Sequence, residues 1–314
     1  MTNRREALGT LGTLGTLGAA ALLSMGATGG AGAGAADSKP IPLLTRRIPS
    51  SGELIPAVGV GTWQTFDVTD PATRAELEKV LTTFADQGGR VIDSSPMYGR
   101  SEDVVGELSA KHSLRARQFI ATKVWTSGRA AGIRQMEDSM RKLRAGAAID
   151  LMQVHNLVDV ETHLDTLREW KRDGRVKYIG VTHYDAGSHG AVAKVMAAHK
   201  LDFVQINYSV GEREAEQRLL PMARERGIAV IANRPFAGGD MFRRLQARPL
   251  PAWAAEIGCT SWAQLMLKFV VSHPAITCAI PGTGNPAHLL DNLGAAKGVM
   301  PDAALRTKIA AATA

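Results

Sequence analysis

Four side chains suited to acid–base work stand just past short apolar runs in this chain: Asp93, Tyr98, Lys123 and His155. Asp93 ends the run Val91-Ile92 within RVIDSSPMYG. Tyr98 sits five residues further on, in the loop that Ser94, Ser95 and Pro96 impose by stopping the strand. Lys123 ends FIATK, His155 ends LMQVH, and FVQIN closes on polar groups at Asn207. A free phenol has a pKa of ~10, too high to trade protons readily at neutral pH. A neighbouring ammonium favours the phenolate and draws that value down. Lys123 is placed for that role, Asp93 keeps the ammonium charged and oriented, and His155 hydrogen-bonds a carbonyl oxygen and sets it against Tyr98. Acid–base catalysis of this kind is worth ~10²–10⁴ in rate. None of these side chains is an electron carrier or an obvious covalent nucleophile. A relay that polarises a carbonyl therefore needs a hydride donor, which means a nicotinamide cofactor. Two other readings stay open. In one, a barrel lyase forms a Schiff base on Lys123, which needs a depressed lysine pKa that an Asp93 partner opposes. In the other, the fold is a non-catalytic nicotinamide-binding or sensing module.

These residues need a scaffold that brings several strand ends to one rim. Arg46 to Ile48 and Glu53 to Ile55 flank Pro49-Ser50-Ser51-Gly52 as a lid-like β-hairpin. After it, strand patterns at Ala57–Gly61, Val91–Asp93, Phe119–Lys123, Leu151–His155, Tyr178–Val181, Phe203–Asn207, Ile228–Ala232 and Thr277–Ile280 alternate with helical ones. The helical segments run over 71–87, 101–108, 133–143, 162–173, 191–199, 215–226, 261–272 and 287–296, with an extra terminal helix over 302–312. Glycines close several of them, as at Gly88-Gly89, Gly174 and Gly227. Eight strand–helix units with no break in composition predict one α/β domain over 41–314, a closed (β/α)8 TIM barrel. A doubly wound open sheet would want a glycine-rich phosphate loop after its first strand, and none is present. In such barrels sites lie at the carboxyl ends of the strands. The long loop from Asn233 through Pro251 carries Gly238-Gly239 as hinge points and Phe236, Met241 and Phe242 as an apolar wall.

The chain has 314 residues, 45% of them hydrophobic, so it can bury a substantial core. Its net charge of +7 is spread along the sequence and reads as solvated surface, with no nucleic-acid patch. Cys259 and Cys278 are the only cysteines, read as buried thiols, and no metal-ligand spacing accompanies them. Residues 1–36 read as a signal peptide outside the fold, with Arg4-Arg5, an apolar Ala7–Ala27 tract and an Ala33-Gly34-Ala35 cleavage site. NRREAL resembles a twin-arginine signal, although Ala7 stands where an aromatic or strongly apolar residue is usual. The expectation is cleavage and export, to a periplasm, with no stable membrane span in the mature form.

VIDSSPMYGRSEDVVGE, IATKVW, IDLMQVHN and IGVTHY, in that order, resemble the aldo-keto reductase superfamily over roughly Ile48 to Ala296. The resemblance implies a (β/α)8 barrel, NAD(P)H bound in extended form, and reversible reduction of small aldehydes or ketones by a monomer. It makes Tyr98 the acid, tuned by Lys123 and Asp93, with His155 orienting substrate. It places Gln205 on the nicotinamide carboxamide, with Thr182 and His183 at the usual Ser-Asn position, and gives Trp63 and Trp125 as aromatic walls of the substrate pocket. Two stretches depart from the family pattern. Where a tyrosine usually stacks on the nicotinamide this chain reads ANRPF, with Asn233, Arg234 and Phe236. The cofactor-tail signature appears as Pro281, Gly282, Thr283 and His288 followed by Asp291 and Asn292, which lacks most of the cations that hold a 2′-phosphate. NADP(H) is favoured because the family favours it, and NAD(H) remains possible.

Overall fold

A computed structural model describes residues 41–314, so the signal segment read at 1–36 lies outside the described residues. Two short antiparallel strands come first, β1 (Thr45–Arg47) and β2 (Leu54–Pro56), with Arg46 opposite Ile55. Eight parallel strands follow: β3 (Val60–Gly61), β4 (Val91–Asp93), β5 (Phe119–Val124), β6 (Ile149–His155), β7 (Val176–Thr182), β8 (Phe203–Asn207), β9 (Ala229–Asn233) and β10 (Ile276–Ala279). Each pairs with the next in sequence order. Bridges Val58–Ala279 and Gly61–Gly282 join the two ends and close the (β/α)8 barrel. Glycine makes that closure possible, because a Cβ on Gly61 would lie 2.8 Å from the Ile280 carbonyl oxygen.

The strands are buried on both faces, which is why they read as apolar, β-branched runs rather than as alternating ones. Around them pack α1 (Pro71–Asp86), α2 (Ser101–Lys111), α3 (Arg129–Lys142), α4 (Val160–Arg172), α5 (His189–Ala198), α6 (Leu219–Glu225), α7 (Asp240–Leu245), α8 (Trp262–Val271), α9 (Pro286–Gly294) and α10 (Ala303–Thr313). Side-chain caps start several of them: Asp70 accepts from the Thr73 amide at 2.7 Å, and Asp302 accepts from the Leu305 amide at 2.8 Å.

Three local expectations are corrected. The hairpin is not a lid over the site. Its Ile48 and Ile55 pack with Val91, Phe119 and Phe203, the first residues of their strands, so it plugs the amino-terminal mouth, opposite the rim where Asp93 and His155 end their strands. Glu53 fixes the plug by accepting from Tyr178 Oη at 2.8 Å, Lys177 Nζ at 2.7 Å and Arg90 Nη2 at 3.2 Å. The helix expected over 215–226 is broken. A 3-10 turn covers Glu214–Gln217, Arg218 leaves helical dihedrals (φ −143, ψ −51), and α6 begins at Leu219. Pro221 explains the break, since it offers no amide hydrogen and its ring crowds the carbonyl of Gln217 in a continuous helix. The loop after β9 is partly helical, holding a turn at Ala237–Gly239 and then α7.

Candidate active site

Strand register assembles the site. Gly61 of β3 lies beside Asp93, Lys123 beside Gln153, His155 beside Thr182, and Thr182 beside Gln205. Lys123 is fully buried, and its Nζ donates to Asp93 Oδ2 and to the Ser94 carbonyl oxygen, both at 2.6 Å. The other carboxylate oxygen, Asp93 Oδ1, accepts from Gln205 Nε2 at 2.8 Å and from Gln153 Nε2 at 3.4 Å. Donors from β5, β6 and β8 thus converge on one acid of β4. Tyr98 is carried by the turn after β4, its amide bonded to the Ser95 carbonyl at 3.0 Å. Lys123 Nζ lies 4.9 Å from the centre of its ring, and the His155 ring meets it edge-on at 6.1 Å and 86°. His155 Nδ1 is 3.2 Å from Ser95 Oγ.

The electrostatics differ from the sequence expectation at Tyr98. Burial raises its pKa above the ordinary phenol value, and the Lys123 charge lowers it only in part while Asp93 works with burial. The phenol is therefore held protonated. At Lys123 burial acts downward, but Asp93 and Tyr98 outweigh it, and the ammonium sits above the usual lysine range. A lysine so charged, ion-paired and buried is unsuited to forming a Schiff base, which counts against the lyase reading. His155 is driven down to about 3 by burial and then by Lys123 and His183, so it is neutral at working pH. His273, away from the site, falls to about 4, first through burial and then through Arg306. Both have folded values below the unfolded value near ~6.5. Their share of stability is complete above ~6.5 and is lost as pH falls toward the folded values, because the unfolded chain takes up protons first. Thermal melts should show a lower Tm at about pH 4.5 than at about pH 7.5, with His155→Gln removing part of that difference.

A cavity of about 580 Å³ opens over these groups. Of the residues singled out by sequence, Asp93, Tyr98, His155, Trp63, Thr182, Gln205, Asn233, Arg234, Phe236, Gly238, Gly239, Phe242, Pro281 and Gly282 line it. Lys123 stands behind Asp93 and Tyr98. The remaining residues are placed elsewhere. Trp125 is exposed, with its amide bonded to Gln135 Oε1 at 2.6 Å. The His183 ring stacks on Tyr184, and its Nδ1 accepts from the Asp185 amide at 3.2 Å. Thr283 Oγ1 accepts from the Asn285 amide, and Asp291 accepts from Ser261 and Gln264 across the α8–α9 contact. His288 and Asn292 sit in α9 away from the wall, and Met241 is buried in the core.

Met97, Asn156 and Tyr184 also line the cavity, and Gln153 and Ser95 support it from behind; sequence reasoning singled out none of them. Gln153 had a readable signal, because it lies two residues before His155 and so faces the same side of the strand. The wall suits an extended cofactor at its nicotinamide end. Gln205 and Thr182 sit above Asp93, with Thr182 Oγ1 donating to Gln205 Oε1 at 3.2 Å, and Gly61, Gly238, Gly239 and Gly282 line it with bare backbone. Among the described residues, no group of His, Cys, Asp and Glu is arranged to hold a metal ion.

The Aldo/keto reductase family model matches residues 57–307, nearly the whole barrel. The chain belongs to the aldo/keto reductase family. It is similar to the methylglyoxal reductase YeaE of Escherichia coli strain K12, at 29% identity over 255 residues, which span 79% of this chain and 88% of that protein. A Klebsiella pneumoniae aldo/keto reductase solved with NADP and acetate superposes with a TM-score of 0.72 at 25% identity, covering 83% of this chain and 93% of that one. A Klebsiella pneumoniae aldo-keto reductase solved with NADPH gives a TM-score of 0.73, also at 25% identity, covering 86% and 95%. This aldo/keto reductase is accordingly an oxidoreductase built on the family barrel.

Proposed function

We propose that this aldo/keto reductase reduces a small aldehyde or ketone to the alcohol, reversibly, with NADPH as reductant and Tyr98 as proton donor. The observation that carries the reading is the buried Lys123–Asp93 pair set behind a protonated Tyr98 and a neutral His155 on one cavity wall. When bound, the nicotinamide supplies the hydride. The chain's own residues supply the rest. Tyr98 donates its proton to the carbonyl oxygen, and Lys123 stabilises the phenolate that remains. The role assigns His155 the tautomer with its proton on Nε2, which donates to the same oxygen while Nδ1 accepts from the Ser95 hydroxyl 3.2 Å away. The NADP and NADPH complexes of the Klebsiella pneumoniae proteins support the cofactor, and the activity named for YeaE makes methylglyoxal the first substrate to try.

Titration of the protein with NADPH and with NADH, followed by tryptophan fluorescence, tests the cofactor assignment, since Trp63 lines the cavity. Saturable quenching at lower NADPH than NADH concentration is the expected result. The reverse order overturns the NADP assignment, and no binding of either, checked by calorimetry, overturns the reductase reading. The leader supports export of the folded protein to the periplasm; fractionation and amino-terminal sequencing of the mature chain would show a start after the Ala33-Gly34-Ala35 tract.

A further inference from the structure

Arg234 is the only lysine or arginine among the described residues on the cavity wall. It follows β9 directly and holds a left-handed backbone (φ +50), which a side chain with a Cβ adopts only under local constraint. None of its fork of N–H donors makes a hydrogen bond among the described residues, and its Nε is buried without a partner. The nearest acid, Glu212, keeps Oε1 3.6 Å from Nη2, beyond hydrogen-bond reach, while its Oε2 accepts from Asn207 Nδ2 at 3.2 Å. The guanidinium lies over Gly238, where a Cβ would come within 3.3 Å of Nη2, and Gly238 and Gly239 are themselves wall residues. A partly exposed guanidinium, loosely ion-paired with Glu212 but with its hydrogen-bond donors unspent, is a prepared oxyanion partner. The other full charges at the site, on Lys123 and Asp93, already neutralise each other.

We infer that Arg234 holds an oxyanion of the ligands that occupy this cavity, a phosphate or carboxylate oxygen taken by its fork. The inference rests on the reductase reading, which puts both a dinucleotide and a carbonyl compound in the cavity. Two sources can supply the oxygen: the diphosphate of the cofactor, or a carboxylate on an oxo-acid substrate. Planar, charge-assisted pairing serves either one.

The test compares Arg234→Gln, Arg234→Lys and Glu212→Gln with the wild type, each checked for folding by thermal melt. One arm titrates NADPH by tryptophan fluorescence without substrate, at low and high salt. The other measures KM and kcat for two aldehydes of equal chain length, one bearing a terminal carboxylate. Arg234→Gln should weaken one arm by ~10–100-fold, the loss expected for a hydrogen bond to a charged group. Weakened NADPH binding with a flatter salt dependence assigns the oxyanion to the cofactor. A raised KM confined to the carboxylated aldehyde, at unchanged kcat, assigns it to the substrate. Arg234→Lys should recover part of the loss, and Glu212→Gln should tighten the same arm a few-fold by removing the competing acid. Unchanged values for Arg234→Gln in both arms overturn the inference; if that variant does not fold, unchanged values for Glu212→Gln do so. A wild type that binds no NADPH and reduces no aldehyde defeats the reductase reading instead. Inorganic pyrophosphate binding, measured by calorimetry on wild type and Arg234→Gln, then decides the role of Arg234 by itself.

Discussion

Replacing Tyr98 with phenylalanine is expected to lower carbonyl turnover by ~10²–10⁴-fold, the worth of a positioned acid, while NADPH affinity stays near wild type. The substitution removes only the hydroxyl. The ring that meets His155 edge-on at 6.1 Å remains, so the shape of the wall is kept. No neighbour can take over the proton. His155 is a neutral imidazole, held to about 3, and can offer a hydrogen bond but not a labile proton of the right acidity. Lys123 is fully buried, with two of its N–H groups directed to Asp93 and Ser94. The pH dependence follows from the phenol being raised rather than lowered. Reduction needs the protonated form and should stay level through neutrality, falling only on the alkaline side. Oxidation of the alcohol needs the phenolate and should climb as pH rises. Steady-state kinetics in both directions, with the NADPH titration run on the same preparations, measure all of this. Turnover within a few-fold of wild type would remove Tyr98 from the acid's role, and a parallel loss of cofactor affinity would mark it as a packing residue.

Much of this site was legible because chemistry interrupts an otherwise apolar text. A parallel strand buried on both faces has no reason to carry Asp93, Lys123 or His155 at its end unless that end faces something polar, and the rim of a barrel is such a place. What register decides was not legible. Gln205 reads as a cofactor ligand by resemblance, yet its amide donates to Asp93 at 2.8 Å, a contact between residues 112 positions apart. Asp291 reads by resemblance as part of the cofactor-tail signature, but the start of α8 claims both its oxygens through Ser261 and Gln264. Tyr98 shows a second limit: the neighbour that lowers its pKa can be guessed from motif, whereas the burial that outweighs it depends on how the whole wall closes. The hairpin shows a third. Its pairing was readable from Pro49 to Gly52, but which mouth of the barrel it plugs rests on Ile48 and Ile55 meeting the first residues of the strands rather than the last.

Lys123→Met is the substitution expected to damage fold and chemistry together, and separating the two effects is informative. Methionine roughly matches the length of the lysine stem, so little volume is lost. The charge is lost in a place closed off from bulk solvent. Asp93, 2% exposed, would keep only Gln205 and Gln153 as side-chain donors, both on Oδ1, and the Ser94 carbonyl would lose its 2.6 Å partner. Breaking a buried ion pair by removing one member typically destabilises by ~3–5 kcal/mol, because the other charge stays behind unpaired. For a domain of this size that lowers Tm on the order of 10 °C. Asp93→Asn in the same chain removes the stranded charge outright. The double variant Asp93→Asn/Lys123→Met should therefore regain most of the stability while remaining as inactive as Lys123→Met, since it still lacks the ammonium that stabilises the Tyr98 phenolate. Recovery of stability without turnover would assign Lys123 a chemical role distinct from its structural one. Recovery of both would reduce the pair to architecture and leave Tyr98 to work untuned.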